Sequence, residues 1–404
     1  MRVLHIVGGA MTNGAFKGAE ILHKALINSK INSKILNDDY FNKNTNNDQN
    51  IIFINDNFKN KILNKLFVYI EKILKFLFLH SPRETFTIGL LGFDITKLKE
   101  YKDADIIHIH WLNQGFISLK SLSKIDKPLI WTMRDMWAFT GGPHYLMDFE
   151  NFERKKISNL LKKIKKNNYR KHFQFVSVSD WLKKKAKNSE VLQEFDIIKI
   201  DNNIELNKFE YISQEDAKKI LEISTKKQII LYGAQNPQSK RKGWSLLVEA
   251  LKKIDTSKYY LLIFGNFWSS EILKKTGIEF KSLGFIKDQK KLNAAYSSAD
   301  LFIASSIEDA WPKTFAEAMY CGTPVVCFKD TSLAEIVDHK INGFIVDDFD
   351  SGLLKDGIEW LSREASEKRI DRNKVRIKAS NFDGKIIVKK YIKLYNEVIE
   401  KISC

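Results

Sequence analysis

Short β-branched or apolar runs alternate with longer helix-patterned segments along most of this chain, and that alternation leaves few folds open. A strand, a helix and a further strand close as a parallel sheet with helices on its faces, because a parallel connection needs a crossover about as long as a helix. In the first half, residues 3–7, 33–36, 51–54, 105–108, 129–132 and 173–178 read as strands. In the second half, 229–232, 259–264, 301–304, 324–327 and 343–346 repeat the spacing, with 244–253, 290–298 and 313–320 as helices between them. Two such series in 404 residues predict an α/β chain of two doubly wound, Rossmann-like domains. The polar stretch 201–208 separates them, giving domains over 1–204 and 205–382 and a terminal helix over 383–404 that packs back on the first domain. Residues 42–50, rich in Asn and Asp without a period, read as an exposed loop.

The 66 Lys and Arg against 49 Asp and Glu give a formal charge of +17, which favours acidic partners such as phosphorylated substrates or anionic lipid. Cys321, Cys327 and Cys404 are the only cysteines, with no metal or redox spacing, which points to a reducing cytosol. The first ten residues run apolar side chains into Gly8 and Gly9 and read as a buried strand rather than a signal peptide. No uncharged apolar run reaches the roughly 18–20 residues that span a bilayer, so any membrane contact is expected to be peripheral.

Two stretches bear on such contact. Between 61 and 79, Lys61, Asn64, Lys65, Glu71, Lys72 and Lys75 fall on one stripe at the helical period, and apolar residues with Tyr69 fill most of the rest. Such a helix either packs on the first sheet with a lysine ridge in water or lies in a membrane interface. Residues 154–171 carry nine Lys and Arg and no acid, and Lys183, Lys184, Lys185 and Lys187 follow. The plain reading is a solvated face. Yet at about 1 kcal/mol per charge near an anionic leaflet, Lys162, Lys163, Lys165 and Lys166 together would hold the chain there. Nucleic acid is not expected, since no aromatic interleaving, zinc-finger or basic-zipper spacing accompanies the charge.

The strongest chemical signal is Ser305-Ser-Ile-Glu-Asp-Ala-Trp-Pro-Lys-Thr-Phe-Ala-Glu-Ala-Met-Tyr-Cys-Gly-Thr-Pro-Val325, at the carboxyl end of an expected strand and running into a helix. Asp309 falls in the loop and Glu317 a turn inside the helix. Backbone N–H groups near Lys313, Thr314 and Phe315 suit a pyrophosphate, and the flanking carboxylates suit sugar hydroxyls. The plainer alternative makes Asp309 a helix cap and Glu317 a surface residue.

The segment resembles the acidic-pair signature of the retaining glycosyltransferases of family 4, in which two acids separated by seven residues precede Glu-Ala-Met-x-Cys-Gly-x-Pro-Val-Val; here that tail is Glu317 to Val326, with Asp309 in place of the commoner Glu. The resemblance implies the GT-B fold, two Rossmann-like domains facing across a cleft. It makes Lys242 the neutraliser of the donor diphosphate, with Arg241 or Lys240 standing in for an arginine absent from Tyr232-Gly-Ala-Gln235. Leu283-Gly-Phe-Ile286 then presents Phe285 and Ile286 to the nucleobase, and Gly18, in the segment from Gly8-Gly9 to Glu20, belongs to the loop approaching the donor phosphates. His108-Ile-His-Trp-Leu-Asn113 and the run Trp131 to His144 resemble a subgroup of bacterial surface-polysaccharide enzymes, with Arg134 where His is usual and Pro143 where Cys is usual. No metal and no other cofactor is expected.

On this resemblance the chain transfers a sugar from a UDP- or GDP-linked donor to an acceptor hydroxyl, with retention. Asp309, Glu317, Lys242 and His110 are the catalytic candidates. Gly18, Arg241, Phe285, Ile286, Lys313, Thr314, Phe315, Arg134 and Asp135 are the binding candidates, the last two on the acceptor side, where Trp137 and His144 are equally loop anchors. The expected acceptor is a lipid-linked glycan at the anionic inner face of the cytoplasmic membrane. The rivals are a GT-B sugar-nucleotide epimerase or phosphorylase, and an inactive nucleotide-sugar-binding scaffold.

Overall fold

The computed structural model describes residues 1–39, 48–79, 85–112, 114–149, 151–267 and 270–403. Residues 42–47 of the expected loop, Asn113 and Cys404 lie outside them. The chain divides into two compact units, 1–203 with 384–404, and 204–383.

Unit 1 holds a seven-stranded sheet of β1 (Arg2–Val7), β2 (Asn32–Asn37), β3 (Ile51–Phe53), β4 (Ile106–Trp111), β5 (Leu129–Met133), β6 (Phe173–Ser177) and β7 (Ile197–Lys199), in the order β3-β2-β1-β4-β5-β6-β7. Every pairing is parallel. Its helices are α1 (Gly14–Asn28), α2 (Phe58–Leu79), α3 (Lys99–Asp103), α4 (Leu119–Leu122), α5 (Lys156–Asn168), α6 (Asp180–Lys187) and the terminal α14 (Gly384–Ser403). The central strands are buried along nearly their whole length, as helices on both faces require. Ile387, Val388, Tyr391, Leu394, Tyr395 and Val398 place one face of α14 against Val3, Leu22, Leu26, Ile106, Ile130 and Val176.

Unit 2 holds a six-stranded parallel sheet of β8 (Gln228–Gly233), β9 (Tyr259–Phe264), β10 (Glu279–Ser282), β11 (Leu301–Ala304), β12 (Val325–Phe328) and β13 (Gly343–Val346), in the order β10-β9-β8-β11-β12-β13. Around it lie α7 (Gln214–Ile220), α8 (Trp244–Leu251), α9 (Glu271–Lys274), α10 (Gln289–Ser298), α11 (Lys313–Tyr320), α12 (Ser351–Ser366) and α13 (Arg372–Ser380). The sheet order turns between β8 and β11, the kind of place where open α/β sheets bind ligands.

The two basic stretches differ from expectation. The polar stripe of α2 is split: Lys65 and Lys72 are exposed, but Asn64 and Glu71 are buried, and Glu71 accepts the backbone N–H groups of Ile88 and Gly89 at 2.9 and 2.8 Å. Phe58, Ile62, Leu66, Tyr69, Ile73, Phe76 and Leu77 face out. In α5, Lys165 is fully buried and donates to the carbonyls of Trp137 and Thr140, while its ammonium sits 3.8 Å from the centre of the Trp137 ring. Lys162 pairs with Glu153 and Glu190, and Lys166 with Glu194. Of these lysines, Lys165 is therefore withdrawn from the surface, and Lys162 and Lys166 are paired within unit 1.

Two expectations follow. Lys165→Met keeps the bulk but leaves two buried carbonyls without their donor, so it should lower unfolding free energy by about 2–4 kcal/mol in urea titrations; a loss under about 1 kcal/mol would refute the anchoring role. Asp38, half-buried, accepts the Gly9 N–H at 2.6 Å, and burial raises its carboxyl from 3.8 to about 6. A raised carboxyl penalises the folded state when ionised, fully above pH 6 and not at all below about pH 4. Asp38→Asn should therefore stabilise unit 1 at pH 8, by up to about 3 kcal/mol, and the gain should fade between pH 6 and 4. A gain independent of pH would contradict this.

Candidate functional site

In unit 2 the carboxyl ends of β8 and β11 lead into two segments that lock together. After β8 the chain makes a tight turn at Lys240–Lys242 and passes Gly243 with φ of +67°. A Cβ there would lie 1.8 Å from the Ser305 carbonyl oxygen, so only glycine lets the turn press against the loop after β11. Ser305 Oγ and the Tyr232 hydroxyl donate to the Lys242 carbonyl at 2.9 and 3.1 Å, and Ile307 N–H donates to the Arg241 carbonyl at 2.8 Å.

That stitching brings Arg241 and Lys242 to Asp309. The Lys242 ammonium donates to Asp309 Oδ2, Arg241 stands 3.5 Å from the same oxygen, and the Trp311 N–H reaches Oδ1 at 3.2 Å. Ser332 Oγ donates to the Asp309 carbonyl at 2.8 Å. Burial alone would raise this carboxyl, but the charges of Lys242 and Arg241 and the N–H of Trp311 outweigh it and hold it below the usual range.

The loop then runs through Pro312, whose side chain offers no capping acceptor, into α11. Thr314 and Phe315 share a small recess with Gly233, Ala234, Lys242 and Ser306. Lys313 opens the helix, and Glu317 lies a turn further on, half-buried, with Oε2 accepting the Tyr296 hydroxyl at 2.7 Å. Burial pushes Glu317 up, against the hydrogen bond of Tyr296 and the charge of Lys313. Phe285, more than half exposed, and Ile286 follow β10 at the same carboxyl edge, where the Gly284 carbonyl accepts the Gly265 N–H at 2.8 Å. Two cations beside a helix start can receive an anion such as a diphosphate, and the edge of this site carries acceptors for hydroxyls.

In unit 1, Gly18, His110 and Arg134 come together. A Cβ on Gly18 would lie 2.2 Å from the Arg134 guanidinium, which also donates to Asn202 Oδ1 at 2.7 Å and to His110 Nδ1 at 3.2–3.3 Å. Arginine only donates, so a neutral His110 carries its proton on Nε2 and gives it to His5 Nδ1, 2.9 Å away. His108, in register with His5, meets the hydroxyls of Tyr395 and Thr132, each at 2.7 Å. Burial, with the charge of Arg134 adding to it, holds all three imidazoles well below their ordinary range. Their nitrogens lie within 4.8 Å of one another, close enough to share a metal ion, although hydrogen bonds occupy all of them but Nε2 of His5.

Asp135 stands in a different network. It accepts His144 Nδ1 at 2.7 Å, Trp111 Nε1 at 3.0 Å and the Trp137 N–H at 2.9 Å, and His144 Nε2 meets Thr87 Oγ1 at 3.1 Å. Burial would raise the Asp135 carboxyl, but His144 and these donors hold it low. Asn202, Tyr296 and Ser332 hold site residues in place but were not among the candidates; Thr331-Ser332 stands where the family often has Gly-Gly, nothing in its local sequence marks Tyr296, and His5 follows from setting β1 beside β4.

Residues 213–379 match the family model described as Glycosyl transferases group 1. A Klebsiella pneumoniae protein described as an uncharacterized 41.2 kDa protein in the cps region is 23% identical over 325 residues, covering 75% of this chain and 83% of that one. Among solved structures, sucrose-phosphate synthase of Thermosynechococcus elongatus superposes with a TM-score of 0.72 at 15% identity, covering 99% of this chain and 100% of that one. Anabaena HepE in complex with UDP-glucose does so at 0.66 and 16%, covering 98% and 100%. Unit 2 is therefore similar to a group 1 glycosyltransferase domain along 213–379, and the two parallel-sheet units have the fold of these solved structures, GT-B.

Proposed function

We propose that this chain is a retaining glycosyltransferase that moves a hexose-type sugar from a UDP- or GDP-linked donor to a hydroxyl of a lipid-linked glycan in bacterial surface-polysaccharide assembly, without a metal ion. The observation that carries it is the convergence of Lys242 and Arg241 on Asp309 beside the start of α11, inside the matched domain. The Klebsiella relative supports the polysaccharide assignment, and the HepE structure supports a nucleotide-sugar donor.

As the bond from the anomeric carbon to the diphosphate oxygen breaks, negative charge gathers on the leaving group, and Lys242, Arg241 and the N–H groups of Lys313, Thr314 and Phe315 stabilise it. The acceptor oxygen bonds to the same carbon, and its proton passes to a donor phosphate oxygen. Asp309 orients the sugar hydroxyls, Glu317 accepts from the ribose, and Phe285 and Ile286 flank the base. For unit 1 the family resemblance assigns His110, Gly18, Arg134 and Asp135 to substrate, with His110 engaged through both nitrogens by Arg134 and His5. The net charge of +17 favours an anionic acceptor at the inner face of the membrane; among the described residues no helix is long and apolar enough to cross one.

A panel of UDP, GDP, ADP, TDP and CMP should raise the melting temperature with one nucleoside diphosphate, the gain being about 2.7 kcal/mol at a hundred times the dissociation constant. Glu317→Ala should abolish that shift. Lys242→Ala should lower kcat/KM with the matching donor about 10²–10³-fold. Transfer undiminished in Lys242→Ala would sink the assignment of the diphosphate site, and a product that forms without acceptor, or only with inorganic phosphate, would replace transfer by epimerisation or phosphorolysis.

A further inference from the structure

The helix α2 is built the reverse of an ordinary surface helix. Its packed face carries Asn64, Phe67, Glu71 and Leu74: Asn64 and Glu71 are buried, Phe67 meets the Phe93 ring at 5.6 Å, and Leu74 packs against a cluster of Phe86, Ile88, Phe149, Phe152 and Leu161. The outward face carries Phe58, Ile62, Leu66, Tyr69, Ile73, Phe76 and Leu77, from 41% exposed at Ile73 to 80% at Phe58. These positions step by three or four residues, so they form one continuous stripe along a helix about 33 Å long. Lys59, Lys65 and Lys72 are exposed on the same side. The one acid of the helix, Glu71, is turned inward and committed to two backbone N–H groups.

We propose that this face docks the protein on an anionic lipid bilayer, with the apolar side chains entering the boundary between headgroups and acyl chains and the lysines resting among the lipid phosphates. Charge complementarity selects that occupant. A stripe of this length costs free energy in water, and soluble monomers rarely keep one bare. A second copy of the chain would cover it, but a two-fold interface sets the same lysines against each other. A bilayer takes both components at once, because the boundary region accepts Phe, Leu, Ile and Tyr to a depth of several ångström while lysine stems reach back to the phosphates. The basic segment 154–187 is the weaker candidate, since Lys162, Lys165 and Lys166 are held by partners inside unit 1.

The inference deepens the membrane placement above by naming the element and its mode of contact. Its test needs neither donor nor acceptor, so it fails or stands independently of glycosyl transfer. Full-length protein is sedimented with phosphatidylglycerol–phosphatidylcholine vesicles and with phosphatidylcholine alone. The unaltered chain should bind the anionic vesicles. The triple variant Leu66→Ser, Ile73→Ser, Phe76→Ser should bind them at least about tenfold more weakly, each lost contact being part of an apolar side chain's transfer, with melting temperature and gel-filtration volume unchanged. Lys59→Gln, Lys65→Gln, Lys72→Gln should abolish the preference for the anionic vesicles. Lys163→Gln, Lys184→Gln, Lys185→Gln in the basic segment should leave binding intact. No binding by the unaltered chain, undiminished binding by the apolar variant, or a dimer that the apolar variant splits into monomers would each overturn the proposal, the last by making a second copy the occupant.

Discussion

The site in unit 2 depends on one buried ionic contact, Lys242 and Arg241 on Asp309. Two cations from one tight turn repel each other, and Asp309 is what allows both to face the same place. The contact in turn depends on backbone: Gly243 lets the turn approach the Ser305 carbonyl, and Ser305, Tyr232 and Ile307 fix it there. A buried carboxylate left without its cations is costly, on the order of 3–5 kcal/mol. A short carboxylate suffices to organise the cations because its backbone is pinned by Ser332 and its charge has little distance to cover.

Unit 1 solves a different problem, placing imidazoles inside a parallel sheet whose buried residues are mostly apolar. His5 and His108 are in register on neighbouring strands, and His110 follows on β4, so three rings share one interior. Hydroxyls of Thr132 and Tyr395, the guanidinium of Arg134 and the bond between His5 and His110 satisfy most of their nitrogens; Tyr395 comes from α14, whose Tyr391 hydroxyl bonds Thr132 in turn. The terminal helix thus supplies polar contacts to the strand that carries His110, besides apolar cover. Fixed donors impose fixed tautomers, and the chain of donation from Arg134 through His110 ends at His5 Nε2, which has no partner among the described residues.

Strand alternation made the two-sheet architecture legible, because β9 and β11 are continuous apolar runs, and β1 and β5 nearly so, all buried on both faces. The strands not assigned, β7 and β10, are edge strands: one has three residues and the other is Glu-Phe-Lys-Ser, so neither needs a fully apolar pattern. Asp309, Thr314 and Phe315 were legible because their spacing is local, within a loop and its next helix, whereas Lys242, 67 residues from Asp309, was legible only through the resemblance carried by Lys242-Gly243. Asn202 and Tyr296 were not, because their contacts with Arg134 and Glu317 join positions 68 and 21 residues apart through packing alone. Lys165 shows the same limit, since composition counts its charge without knowing that the ammonium is enclosed by Trp137 and Thr140.

Helix α2 carries that argument furthest. Its periodic pattern has two faces and does not say which one the fold buries; apolar burial by itself would turn the wide apolar face inward. What decides is the pair of backbone N–H groups at Ile88 and Gly89, which lie under the helix and have Glu71 as their acceptor. Leaving two buried donors unmet would cost roughly 1–3 kcal/mol each, and Asn64, Phe67 and Leu74 share the face that Glu71 occupies. The polar groups of the sheet unit thus fix the rotation of the helix, and the apolar stripe is left outside as the consequence. A lipid interface is the surroundings in which that consequence is favourable.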